Sequence, residues 1–483
     1  MKAIWKWGIP TAIVSLIGVS SYYLVWGSRY AVSQSMSIGQ RMLTPTSQVS
    51  RSPQLSERHA KATQAMERQD YATAEAEFQD AIARQPNQPE AWIYWNNAKA
   101  LRFSQNNPRD RLTIAVSVPL SNNPNVAEEI LRGVAQAQDE YNQKGGINGK
   151  LIQVTVADDR NDPAVSAKVA YEFVQDASIL GVIGHNASNA TLAAAEVYQA
   201  NKLPMLSPTS GTNRLTGFGA YIFRTVPSSS VMTLPLVEHV KNTLKKTKIG
   251  LCYDQQSVDN VSFKDDFITH AIGNELSVVE IDCELSKPDF DPQSMINQLI
   301  AQGADVLLIA PHIDRLDRAI QLAQANEKHV KRLPIISSST MYTQQVFAGK
   351  GAIENLTLVT IWHPTRFPKF SQSASNYWKG IVNWRTATAY DATQALLEAI
   401  SMNPVPDRDK IQATLRSGTF SASGSGNEVR FLSTGDRAGK PILVQVKATG
   451  NRYAFVPIDR SEGAKLPVSE KLPDAEKLPD ATN

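Results

Sequence analysis

The residue types able to do covalent or metal chemistry are present in this 483-residue chain, but their spacing does not assemble them into a known constellation. The seven histidines are scattered, and no two stand four residues apart on a helix-like run, as a two-histidine metal site would need. No G-x-x-x-x-G-K-[ST] phosphate loop occurs, the nearest stretch being the wrongly spaced "GGINGK"; nor is there G-x-S-x-G, H-E-x-x-H, or G-x-G-x-x-G after a strand. "ADDRNDP" holds three carboxylates, Asp158, Asp159 and Asp162. Asp162 before Pro163 is a helix-start signature and the other two end a strand, so structural roles are expected there. No catalytic residue, metal or cofactor is therefore expected. What remains are four polar joints: "VPLSNNPNV", "GHNASNAT", "SPTSGTN" and "APHIDR". Their Ser, Thr, Asn and Gly residues suit hydrogen bonding to a small polar ligand rather than hydrolysis.

The elements that position these joints follow from periodicity. "RLTIAVSVPL", "KLIQVTVADD", "SILGVIG" and "LPMLSP" read as strands, alternating with amphipathic helices such as "AEEILRGVAQAQDEYNQKGG" and "PAVSAKVAYEFVQD". After "YIFRTVPSSS" the alternation restarts with "KIGLCYD", "SVVEIDCEL", "ADVLLIAP" and "RLPIISSS" as strands, followed by the helical "TATAYDATQALLEAI". Two such runs predict an α/β chain of two doubly wound Rossmann-like lobes, with a cleft between them. The joints fall outside the carboxyl ends of the strands, where helix N-termini and backbone amides collect.

A net charge of +3 carries no nucleic-acid footprint. Cys252 and Cys283 make no disulfide framework and match no zinc or redox spacing. Buried free thiols are the expectation, with a bridge as the alternative. From Trp7 to Ser28 the chain is uncharged and flanked by aromatic residues, with Lys2 and Lys6 before it. Since roughly 20 apolar residues cross a bilayer, an uncleaved anchor is predicted within residues 1–30, holding the rest outside the cytoplasm at the plasma (inner) membrane. Residues 31–56 read as a flexible spacer. In 57–105, Tyr71, Ala74, Phe78, Ala81 and Pro86 fall at tetratricopeptide-like spacings, giving a helical hairpin that serves as spacer or partner-binding module. The tail 458–483 repeats Lys-Leu-Pro three times and is read as disordered.

The run "ILRGVAQAQDEYNQKGGINGKLIQVTVADDRNDP", then "GVIGHNASNAT", "LPMLSPTSGTNRL" and "YDATQALLEAI", resembles the leucine/isoleucine/valine-binding protein family, type I periplasmic solute-binding proteins of ABC transporters. With its N-terminal additions the chain looks like a cyanobacterial variant of that family. The resemblance covers 111–457. It implies a first lobe of about 111–226 and 363–428, a second of about 229–360 and 430–457, and crossovers near 224–228, 359–364 and 426–431. It further implies ligand trapping by hinge closure. Ligand contacts are implied at Ala187 and Ser188 after the third strand, and at Thr209 and Gly211 after the fourth. Gly211 lacks the hydroxyl usual at its position, so Ser210 or Thr212 replaces it or the backbone acts alone. On the second lobe His312 and Ser339 stand where a tyrosine and an acidic residue hold an amino group, and Val126 and Val258 stand where aromatic residues are common. His185 is expected to pack behind the joint. The expected activity is capture of an amino acid or related carboxylate for an ABC permease. The alternative is a ligand sensor or scaffold signalling to a membrane partner through 57–105.

Overall fold

The computed structural model describes residues 34–45 and 53–458. The anchor read at Trp7–Ser28 and the tail after 458 lie outside the described residues. Among those described, no helix is long and apolar enough to cross a membrane.

Two sheets form the frame. The first comprises β1 (Met36–Ser37), β2 (Arg111–Val118), β3 (Leu151–Asp158), β4 (Ile179–Ile183), β5 (Met205–Ser207) and β6 (Ile222–Arg224), in spatial order β1-β3-β2-β4-β5-β6. Only β1 runs antiparallel. The second comprises β7 (Lys248–Tyr253), β8 (Ser277–Val278), β9 (Cys283–Glu284), β10 (Val306–Ala310), β11 (Ile335–Ser337), β12 (Thr357–Thr360), β13 (Ile442–Thr449) and β14 (Arg452–Pro457). Its order is β14-β13-β12-β11-β10-β7-β8, with β9 also on β7 and the last two strands antiparallel. Helices cover both faces of the parallel parts, so strands such as β2 and β10 are buried almost end to end. In each lobe the order reverses once, between β2 and β4 and between β7 and β10, and those switch points open onto the cleft.

The chain leaves the first lobe after Arg224, and the helix Ser229–His239 opens the second. It comes back after Thr360 into the helix Pro368–Trp378. The third crossing lies at 438–442 rather than at 426–431. Bridges Ala422–Val429 and Phe431–Arg437 fold that stretch back onto the first lobe, where Arg437 pairs with buried Asp391 and Asp436 with Arg224.

Residues 34–45 are bound to the first lobe, which corrects the flexible-spacer expectation for them. β1 pairs with β3, Ser35 accepts from the Asp158 amide, and buried Glu90 accepts from the amides of Leu43 (2.6 Å) and Thr44 (2.9 Å). The expected hairpin is three helices, Pro53–Glu67, Tyr71–Arg84 and Pro89–Phe103, the second started by the Asp70 cap. They are joined to the lobe through several side chains, among them Asn96, which donates to Asp139, and Asn97. Buried Asn97 lies along the outer edge of β3, accepting from the Val154 amide at 2.8 Å and donating to its carbonyl at 2.7 Å, as a neighbouring strand would. Asn142 treats Ile152 in the same way, with bonds of 2.7 and 3.1 Å. With β1 beyond them, the edge groups of β3 at Ile152, Val154, Val156 and Asp158 all find partners.

The two cysteines form a disulfide, with an S–S distance of 2.02 Å. The free-thiol expectation is overturned because β9 places Cys283 directly opposite Cys252 of β7, at a Cα separation of 4.6 Å.

Two stability outcomes follow from these contacts. Replacing both cysteines by serine opens a covalent loop spanning 31 residues, and is expected to lower unfolding free energy in urea titration by about 2–4 kcal/mol. Asn97→Ala leaves the Val154 amide and carbonyl buried and unpaired, and is expected to cost about 2–5 kcal/mol in the same assay.

Candidate functional site

The joint after β4 begins with His185, which is fully buried. Its Nδ1 lies 2.7 Å from Asp159 Oδ2 and its Nε2 lies 3.1 Å from the Tyr198 hydroxyl. Asp159 also accepts from the Ser117 hydroxyl and the Asn161 amide. Both ring nitrogens are thus committed to the lobe's interior, where the ring fixes the backbone that carries Ala187 and Ser188. Asp162 accepts from the Val165 amide and caps the helix Pro163–Gln175.

Ser188 is the first residue of the helix Ser188–Ala200, and its hydroxyl lies 2.7 Å from that of Ser210. Thr209 donates to the Asn186 carbonyl and Thr212 meets Ser262 of the other lobe, so these two hydroxyls shape the joint after β5. Arg224 fixes that joint from behind. Its buried guanidinium donates to the carbonyls of Ser210 (3.2 Å) and Thr212 (2.7 Å), to the Thr216 hydroxyl, and to Asp436 at 2.6 Å.

The second lobe meets this surface across the cleft. Asn189 accepts from the Val258 amide at 3.0 Å and donates to the Gln256 carbonyl at 2.8 Å, while Asn123 donates to Asp314 at 3.2 Å. Asn189 is therefore a contact between lobes. Two adjoining chambers lie between the lobes. Ala187, Ser188, His312 and Arg385 line one, Gly211, Met232 and Phe263 line the other, and Thr209, Asp259, Ser339 and Trp384 line both. Among the expected contacts, Ser210 and Thr212 stand behind this lining as supports. Val126 is buried in the first-lobe core, and Val258 is engaged by Asn189. Neither valine is among the residues lining the two chambers.

Four lining residues had no motif to announce them: Asp259, Asn260, Trp384 and Arg385. Asp259 is the second residue of the helix Val258–Gly273, and it reaches the first lobe. A Cβ placed on Gly211 would stand 2.9 Å from Asp259 Oδ1, so the absence of a side chain at 211 makes room for this carboxylate. Burial raises the Asp259 pKa, against the opposing pull of Arg224, His312, the Gly211 amide and the Ser188 hydroxyl. Trp384 opens the helix Trp384–Ser401, and the Arg385 guanidinium lies over its ring at 4.7 Å.

A family model described as periplasmic binding protein matches residues 112–451. The chain belongs to the periplasmic binding protein family. An amino acid binding protein of Pseudomonas aeruginosa is 29% identical over 187 residues, which is 38% of this chain and 49% of that protein. The Leu/Ile/Val-binding protein of Escherichia coli K12 is 30% identical over 159 residues, 32% of this chain and 43% of the relative. The chain thus aligns with about half or less of the length of these periplasmic binding proteins. The crystal structure of a leucine binding protein from Thermotoga maritima matches with a TM-score of 0.64 at 21% identity, over 72% of this chain and 99% of that one. A solute binding protein of an ABC transporter from Rhodopseudomonas palustris, in complex with 3,4-dihydroxybenzoic acid, gives 0.63 at 15% identity over 72% and 96%. These similarities establish the shared fold of the two lobes.

The second crossover carries a pH-sensitive group. His363, on the second crossover, lies with Nε2 2.9 Å from the Phe455 carbonyl and Nδ1 2.9 Å from the Thr365 hydroxyl. Burial lowers its pKa to about 4, despite the Phe455 carbonyl. The unfolded chain takes up this proton near pH 6.5 and the folded one only near 4, so stability present at neutral pH is lost as pH falls between those values. The loss is expected to reach about 3 kcal/mol at most, and His363→Gln is expected to flatten that part of the stability–pH curve in urea titrations.

Proposed function

We propose that this chain is an extracytoplasmic solute receptor that closes its two lobes on a small polar ligand, an amino acid or related carboxylate, and delivers it to an ABC permease. The observation that carries the reading is the apposition of two sheet switch points across one polar cleft. Ser188 and Gly211 lie on one side, and Asp259, His312 and Ser339 on the other. The amino-acid-binding names of the Pseudomonas and Escherichia relatives support the ligand class, as does a Desulfitobacterium hafniense substrate-binding protein of the same fold in complex with Leu. The disulfide suits an oxidising compartment, in keeping with a location outside the cytoplasm. The uncharged run Trp7–Ser28 would tether the receptor to the inner membrane. No reaction is part of this reading.

The test is thermal unfolding of the purified full-length chain against a panel of amino acids, amides and carboxylic acids. A true ligand at one hundred times its Kd is expected to add about 2.7 kcal/mol of stability. A panel that shifts the unfolding temperature nowhere sinks the receptor reading.

A further inference from the structure

The charges around the cleft do not balance. Each arginine in or directly behind it has its own carboxylate, Arg224 pairing with Asp436 at 2.6 Å and Arg385 with Glu129 at 3.3 Å, and the His312 ring lies 3.4 Å from Asp314. Asp259 lines both chambers, yet no cation pairs with it within 4.0 Å among the described residues. It faces the Gly211 amide and the Ser188 hydroxyl, donors that an entering anion would otherwise use. A solute carboxylate directed there meets a carboxyl group already in place and must repel it or share a proton with it. A protonated amine there meets a carboxylate oxygen that no cation of the protein pairs with at close range, and becomes its partner.

Two further residues of the lining point to the rest of the molecule. Trp384 is 4% exposed and Asn260 2% exposed. The Trp384 Nε1–H and the Asn260 Nδ2 amide are buried donors with no acceptor among the described residues. Buried donors left unpaired are costly, and a solute acceptor beside them removes that cost.

We propose that Asp259 selects the solute, receiving its protonated amine while Trp384 and Asn260 donate to an acceptor on the same molecule. The pocket then takes amino acids and related amines and turns away carboxylic acids that lack nitrogen. This rests on the receptor reading above and narrows it. It also accounts for Ser339, a neutral residue: the acidic group comes from the helix start at Asp259 instead.

The experiment is calorimetric titration of the full-length chain with the common amino acids, the amines formed by removing their carboxyl groups, and the nitrogen-free acids formed by removing their amino groups. Wild type is expected to bind at least one amine-bearing member, and its nitrogen-free counterpart at least tenfold more weakly. D259N is expected to shrink that ratio at least fivefold, mainly by weakening the amine-bearing member. Equal binding of an acid and its amine-bearing counterpart by wild type overturns the inference and leaves the receptor standing, as does an unchanged ratio in D259N. Binding of no member at all overturns the receptor reading and this inference with it. Should D259N fail to fold, the wild-type ratio decides alone.

Discussion

The cleft depends on one buried guanidinium. Arg224 ends β6 at the first crossover and is 1% exposed, the largest fully buried side chain in the described residues. A charge so placed is tolerable only when its donors are satisfied, and here they are shared among Asp436, two carbonyls and a threonine hydroxyl. Those acceptors come from two distant stretches, the joint after β5 and the loop preceding the third crossover. The same group therefore sets the height of Gly211 above the cleft and holds the returning chain against β6. Gly435, at φ +86°, allows that loop to lie directly over the Ile222 carbonyl, where a side chain has no room.

Periodicity made much of this legible. The alternation from Arg111 onward predicts both lobes because parallel strands and their covering helices impose local patterns that survive in a single sequence. Asp162 and Pro163 announce a helix start by adjacency alone, and His185 behind its joint follows from lying between a buried strand and a helix. The joints onto which the resemblance placed Ala187, Ser188 and Thr209 could be located for the same reason, since they sit at strand ends.

The unreadable features are those made by partners far apart in the chain. Cys283 meets Cys252 through a strand of two residues, too short to show a pattern. Residues 34–45 look like a spacer because their composition is polar. They are ordered by Glu90 and by the edge of β3, neither of which leaves a local trace. Asp259 follows an apolar residue at an ordinary helix start, and only the cross-cleft view shows that Gly211 makes way for it. His312 and Ser339 stand where the resemblance implies a tyrosine and an acidic residue, and neither supplies a carboxylate. The carboxylate that lines the cleft stands on another element, at Asp259.

Closing the edge of β3 has a consequence for how copies of this molecule meet. An exposed parallel edge is a template for pairing with another chain. In the first lobe, Asn97, Asn142 and β1 occupy one edge, while the loop at Thr434 and Gly435 bonds to Gly217 and Arg224 along the other. Neither side offers a free ladder, so this lobe can crowd against its neighbours without zipping into them. Whatever docks on it must grip side chains.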